Sequence, residues 1–339
     1  MTDTVNLGFR RRRIRRLAVV AGLSMVVLVL CCAALYLGNT QYPPDVIIRV
    51  ILGEQIKGAS FAIGTLRLPR MLIAVLAGMA FGMAGNTFQT MLGNPLASPD
   101  IIGVTAGCSV AAVFCITFLN VSKGVISLAA VVTGVALAAI IYFLSYRGGF
   151  SGPRLILIGI GIQAMLNALT YFLLLRANQY DVPAAMRWLS GSLNGLQMKD
   201  VPLLFGVVTV FGFILTALSK YLNILELGDQ SATSLGVRTD RVRMLMVICA
   251  VFLIAYTTAV TGPVAFVSFL AGPIASRLAG RGNSNIVPSA LTGAALVLLA
   301  DIVGQNLFDI RFPVGVVTGM LGAPYLVFLL IRMNKGGAA

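Results

Sequence analysis

Residues 67–107 read RLPRMLIAVLAGMAFGMAGNTFQTMLGNPLASPDIIGVTAG. Two arginines, Arg67 and Arg70, stand before 29 uncharged residues, Met71 to Pro99. A hydrocarbon core about 30 Å thick takes roughly 20 apolar residues of helix, so this run crosses a bilayer with length to spare. Inside it lie Asn86, Gln89 and Asn94, which lipid rejects unless protein or water meets their amides. Pro95 and Pro99 then interrupt the run. The stretch predicts a span, a break where function is expected, and a second span.

The whole chain has the same character. Its 339 residues are 58% hydrophobic and 11% charged, with a mean hydropathy of +0.94, which excludes a globule with a polar shell. The length holds about ten spans with short loops. The expected fold is therefore all-α and polytopic: a basic cytoplasmic N-terminus over 1–16 and one transmembrane domain over 17–335.

Net charge +14 would suggest nucleic acid in a soluble protein, but here the cations sit at the ends of apolar runs and set topology instead. Cys31, Cys32, Cys108, Cys115 and Cys249 lie within apolar segments without CxxC spacing and are expected to be packing residues, not disulfides or metal ligands. Histidine is absent, which removes the commonest metal ligand and general base. No lysine precedes Ser or Thr, so the phosphate-binding loop of ATPases is missing. The expectation is a protein that is no enzyme, holds no cofactor or metal, and hydrolyses no ATP itself.

Spans are expected at 17–37, 65–85, 96–119, 124–145, 155–175 and 201–219, with Arg10 to Arg16 holding the first end in the cytoplasm as an uncleaved span. The 33 uncharged residues from Met244 to Ser276 are too many for one span and divide at Thr261-Gly262-Pro263. Two more follow at 286–304 and 313–331. Residues 45–58, with Val46, Ile47, Val50 and Ile51 at helical spacing, predict a surface helix on the outer face. Both termini are then cytoplasmic, and sixteen of the 25 Lys and Arg fall on that side against nine outside. A span followed by a Pro-interrupted span occurs twice, at GNPLASPDIIG and at TGPVAFVSFLAGP, which points to a transporter repeat.

Three constellations stand out. Leu225 to Val237, LELGDQSATSLGV, reads as two short cytoplasmic helices meeting at a turn, with Ala232 and Leu235 on one face, either a docking element or a plain connection. Arg67 and Arg70 at the outer mouth read either as interface anchors or as receivers of carboxylates from a soluble partner. Asn86, Gln89, Gln163 and Asn167 either line a polar passage or hydrogen-bond helix to helix. Asp301 is costly in a membrane and is expected to pair or cap near the outer end of its span.

Taken together and in order, RLPR, GNPLASPDIIGVTAG, GDQSATSLGV, TGPVAFVSF, LLADIV and FPVGVVTGMLGAPY resemble the blocks of FecCD-type permeases, the membrane subunits of bacterial ABC importers for iron–siderophore complexes, haem and vitamin B12. The resemblance covers nearly the whole chain. It implies a type II importer permease with an internal inverted repeat, located in the cytoplasmic membrane. Its implied partners are a second permease subunit, identical or not, two cytoplasmic ATPase subunits, and an extracytoplasmic substrate-binding protein, with no nucleic acid.

By motif, Glu226, Gly228, Asp229, Ala232, Leu235 and Gly236 would contact the ATPases, and Arg67 and Arg70 would meet acidic residues of the binding protein. Where some members carry a third docking arginine after the ADIV block, this chain has Gly304 and Gln305, with Arg311 nearby to substitute. The passage would run between two permease subunits, bordered by Asn86, Gln89, Gln163 and Asn167 and gated by the 146–153 turn. RWLSGSLNG, residues 187–195, looks more like siderophore than vitamin B12 permeases. The alternatives are a haem or cobalamin permease of the same family, an ion-coupled secondary transporter, for which Asp100 and Asp301 offer few coupling groups, and a non-transporting scaffold or receptor.

Overall fold

A computed structural model describes residues 2–146, 151–226, 228–280 and 284–336, and these form an all-helical bundle. The first elements are α1 (Thr2–Tyr36), a short amphipathic α2 (Pro44–Ile51) that buries Ile47 and Val50, and α3 (Leu68–Met91), led in by a π-helical stretch, Ser60–Arg67. Next come α4 (Val104–Phe114), extended by π-helical Cys115–Leu119, then α5 (Lys123–Ser145), α6 (Gly152–Arg176) and a short α7 (Val182–Leu189). The remainder is α8 (Val201–Leu225), α9 (Asp229–Ser234), α10 (Thr239–Thr261), α11 (Val267–Ala279), α12 (Ile286–Asn306) and α13 (Val314–Gly336). Among the described residues, seven helices are long and apolar enough to cross a membrane, and 104–119, 267–279 and 314–329 are three shorter apolar ones, which together match the expected spans.

The opening stretch becomes the axis of the bundle. In α3 and its lead-in, 83% of the most apolar window is buried, and α8, α10, α11 and α12 pack around it. Gly78 and Gly82 explain the most extensive of these contacts, the one with α12. A Cβ on Gly78 would fall on the backbone of Gly293 and Ala294, one on Gly82 on the carbonyl of Ser289, and one on Gly293 on that of Gly78. Backbones of α3 and α12 therefore touch directly, which is how small residues hold membrane helices together when lipid offers no hydrophobic drive. By contrast α1, α5, α6 and α8 keep large apolar side chains exposed, among them Phe143, Leu157, Leu175 and Phe213, as a surface facing lipid or another apolar subunit requires.

Two boundaries differ from the sequence reading. The second span runs on to Met91 because no residue after Gly85 stops the helix, so Asn86 and Gln89 are part of α3 itself. The third starts later, at Val104, because Pro99–Ile102 forms a single 3-10 turn ending on Gly103 in the left-handed conformation. The same order recurs in the second half: α10, a loop ending on left-handed Phe266, then the short α11. The two loops lie at opposite ends of the bundle. One adjoins Glu226 and Arg277, and the other adjoins Lys123 and Asn194.

Candidate functional site

At a rise of about 1.5 Å per residue, Arg70 and Gln89 of α3 are roughly 28 Å apart along the axis, close to the thickness of a hydrocarbon core. They belong to two different polar regions. The Gln89 end is also where Arg15 of α1 donates to the carbonyls of Leu278 and Arg277, at 2.9 and 3.0 Å, closing the last turn of α11.

At this arginine-rich end a cavity of about 560 Å³ is lined by Asn86, Gln89, Asn94, Glu226, Arg277 and Asn285, among others. Gln89 Nε2 donates to the carbonyl of Phe269 at 3.0 Å, across to α11, and only a glycine at 272 leaves room for its side chain. Asn86 and Asn285 are 3% and 7% exposed, and Asn86 Nδ2 and Asn285 Oδ1 have no protein partner. Such amides cost free energy unless water or a ligand meets them. Gln163 and Asn167 are elsewhere: α6 packs on α4 and α5, and Asn167 is exposed on its outward side. Within one chain the four amides do not form one lining. Of the 146–153 turn, residues 147–150 lie outside the described residues.

Glu226 brings the segment 225–237 to the rim of this cavity. One short helix, not two, occupies it among the described residues: α9 hangs between the ends of α8 and α10. Left-handed Gly228 and Gly236 bracket it, with φ of 93° and 80°, where any side chain would be strained. Ala232 and Leu235 do not share a face. Ala232 is fully buried against the bundle and Leu235 is 64% exposed, because the chain leaves helical geometry at Leu235 and Gly236 turns it back. Ala232 is thus the anchor, and Leu235, Gly236 and the exposed Glu226 and Gly228 form the accessible side. Leu227 lies outside the described residues.

At the opposite end Arg67, Arg70 and Arg311 line one cavity of about 380 Å³, so the three arginines singled out in the sequence do converge. Their guanidiniums are differently engaged. Arg67 donates to the carbonyls of Leu35, Tyr36 and Thr40, at 2.8, 3.2 and 2.6 Å, capping α1. Arg70 makes a two-pronged pair with Asp301 of α12, at 2.7 and 2.5 Å, and donates its third contact to Asn194 Oδ1. The pair is shielded, with side-chain exposures of 17% and 8%. Asp301 thereby finds the partner that a carboxylate in a membrane span requires. Arg311 is exposed and makes one hydrogen bond, to Asn39 Oδ1 at 2.8 Å.

Asn194 and Leu196 also line a second cavity, of about 400 Å³, that the sequence reading did not anticipate. Its wall is RWLSGSLNG. Ser192 N donates to Thr261 O at 2.7 Å and Gly315 N to Gly191 O at 3.1 Å, which pins this loop between the end of α10 and the start of α13. Lys123, Arg187 and Trp188 line the cavity from α5 and α7. The only signal in the sequence was Arg187 beside the sole tryptophan.

A bundle of apolar, span-length helices with polar cavities at both ends has the form of a membrane permease. The chain belongs to the FecCD transport family, whose pattern matches residues 26–332. It is 36% identical over 290 residues to the ferric enterobactin transport system permease protein of Escherichia coli strain K12, covering 85% of this chain and 88% of that one. It is 35% identical over 314 residues to the achromobactin transport system permease protein of Dickeya dadantii strain 3937, covering 91% and 90%. Among solved structures it matches a metal-chelate type ABC transporter in an inward-facing conformation, with a TM-score of 0.81 and 27% identity over 93% of this chain and 99% of that one.

Proposed function

We propose that the chain is the permease subunit of an ABC importer that carries ferric–siderophore complexes across the cytoplasmic membrane, driven by separate ATPase subunits. The carrying observation is that ferric-chelate permeases align with it over most of both chains, within a family pattern that spans nearly the whole sequence. Little intramembrane charge is available to couple an ion gradient: Asp301 is committed to Arg70, and Asp100 accepts from Ser98 and Thr105. The same family includes a cobalamin permease, 32% identical over 80% of this chain.

In this reading the arginine-rich end is cytoplasmic, following the positive-inside rule. The accessible side of α9, with Leu235 and Glu226, seats on the ATPases, and the buried Ala232 transmits its displacement to α8 and α10. Arg67, Arg70 and Arg311 rim the surface that receives the extracytoplasmic binding protein, with Arg311 the most available for a new carboxylate. A second permease subunit covers the outward faces of the bundle, and the passage runs between the two, past Gln163 and Asn167. Transport requires ATP and substrate to bind the outward- and inward-open states unequally.

The test is uptake of radioactive iron chelate into vesicles that hold the permease with its co-purifying ATPases. Uptake should need ATP and the binding protein. Uptake driven by an ion gradient without ATP would overturn the reading.

A further inference from the structure

We propose that the cavity walled by RWLSGSLNG is an entry site for an anionic metal chelate, with Arg187 as its charge contact and Trp188 as its stacking surface. The inference rests on the transport reading above and adds a substrate class to it: chelates of net negative charge, of the catecholate or carboxylate type, in preference to neutral ones.

Size and shape come first. The cavity holds about 400 Å³, within the 300–1,000 Å³ common for small-molecule sites. The next consideration is its donor inventory. The lining carries two cations, Lys123 and Arg187, and no carboxylate. Asp200, outside the lining, is held by Lys123 at 3.2 Å and accepts from Gln197 N at 3.0 Å, so one of the two cations is already compensated. Arg187 forms no salt bridge and no hydrogen bond among the described residues, and it is exposed. Three acceptors of the wall already receive a donor: Ala259 O from Ser127 Oγ at 3.0 Å, Thr261 O from Ser192 N, and Asn194 Oδ1 from Arg70. A donor-rich, carboxylate-free hollow with one unspent guanidinium selects an anion.

The aromatic wall narrows the class further. Trp188 lines the cavity, is half-buried and packs on the apolar core, and Gly262 approaches its carbonyl closely. A delocalised aromatic chelate gains stacking there. The neighbouring cavity is a poorer anion site: two of its three arginines are spent on Asp301 and on the end of α1, and it contains a carboxylate.

Trp188 is the only tryptophan in the chain and reports on this site directly. The permease, in lipid vesicles without ATPases or binding protein, is titrated with gallium(III) tris-catecholate, a trianion, and with the neutral gallium(III) tris-acetohydroxamate. The trianion should change Trp188 fluorescence saturably and more weakly at high salt, and Arg187→Gln should weaken it about tenfold, the worth of one exposed charge-assisted contact. Arg187→Lys should restore most of the binding. Equal responses to both chelates, or an unchanged trianion isotherm in Arg187→Gln, would overturn the site. In a second titration of the same vesicles, this time with the binding protein, a fluorescence response seen there and with neither chelate would also overturn the site and assign the hollow to docking. Because no ATP is involved, a saturable site without ATP-driven uptake would fault the transport reading and leave the site standing.

Discussion

Replacing Asp301 with Asn removes the charge that holds Arg70 and leaves every atom position available. The Arg70 guanidinium is 17% exposed and makes two contacts of 2.7 and 2.5 Å to a carboxylate that is 8% exposed. Two unit charges about 4 Å apart at an effective dielectric near 20 attract by about 4 kcal/mol, and breaking a shielded pair from one side costs about 3–5 kcal/mol because the remaining charge is stranded. Arg70→Gln strands the carboxylate instead and should cost a similar amount. The double variant strands neither and should cost no more than one single variant, giving a coupling at least as large as the other single loss, about 3–5 kcal/mol. Denaturant unfolding of the detergent-solubilised protein, followed by helix signal, measures all four corners. Additive losses, or single losses below about 1 kcal/mol, would show that the pair does not pin α3 to α12 and that Arg70 is held in reserve for a partner.

Gly82→Ala should destabilise by about 1–3 kcal/mol, since its Cβ would meet the Ser289 carbonyl, whereas Gly206→Ala in α8, with open space around it, should be neutral or stabilising by up to about 1 kcal/mol; unfolding midpoints with the same sign would contradict the backbone contact. Leu235→Arg with Glu226→Ala should abolish ATP-driven uptake by disrupting ATPase seating and leave binding-protein affinity unchanged, as read by co-purification and by surface binding; normal transport would refute the coupling assignment. Arg311→Glu should weaken binding-protein docking about tenfold and shift unfolding by less than about 0.5 kcal/mol, given its exposure and single hydrogen bond. Unchanged docking would remove it from that surface.

Particular residues show where sequence reading reached its limit. The spans were legible because the cost of exposed backbone and charge in lipid forces long uncharged helical runs, and the break at Thr261-Gly262-Pro263 falls where α10 ends. The pairing of Asp301 was legible as a need, since a carboxylate there must be met. That its partner is Arg70, 231 positions away, was not. The shared face of Ala232 and Leu235 failed because helical periodicity stops after Ser234, and left-handed Gly236 then turns the chain back. The spacing of Asn86 and Gln89 in α3, and of Gln163 and Asn167 in α6, likewise did not show that the two pairs look in different directions. Period fixes a face of a helix, not what that face meets.

What the sequence determined by itself is the class: an all-helical, multi-span membrane protein with no ATPase loop, an ordered set of FecCD blocks, and two arginines, Arg67 and Arg70, ahead of its most buried span. These follow from local chemistry, because each residue's compatibility with lipid is decided one helix at a time. The tertiary structure alone decided that Arg67 and Arg70 are largely occupied within the fold and Arg311 is not, and that Ala232 anchors while Leu235 projects. It also decided that Lys123, Arg187 and Trp188 enclose one hollow. Those are statements about which helices touch. They depend on glycines such as Gly78 and Gly293 letting two backbones meet, a fit between surfaces far apart in the chain that no local pattern encodes.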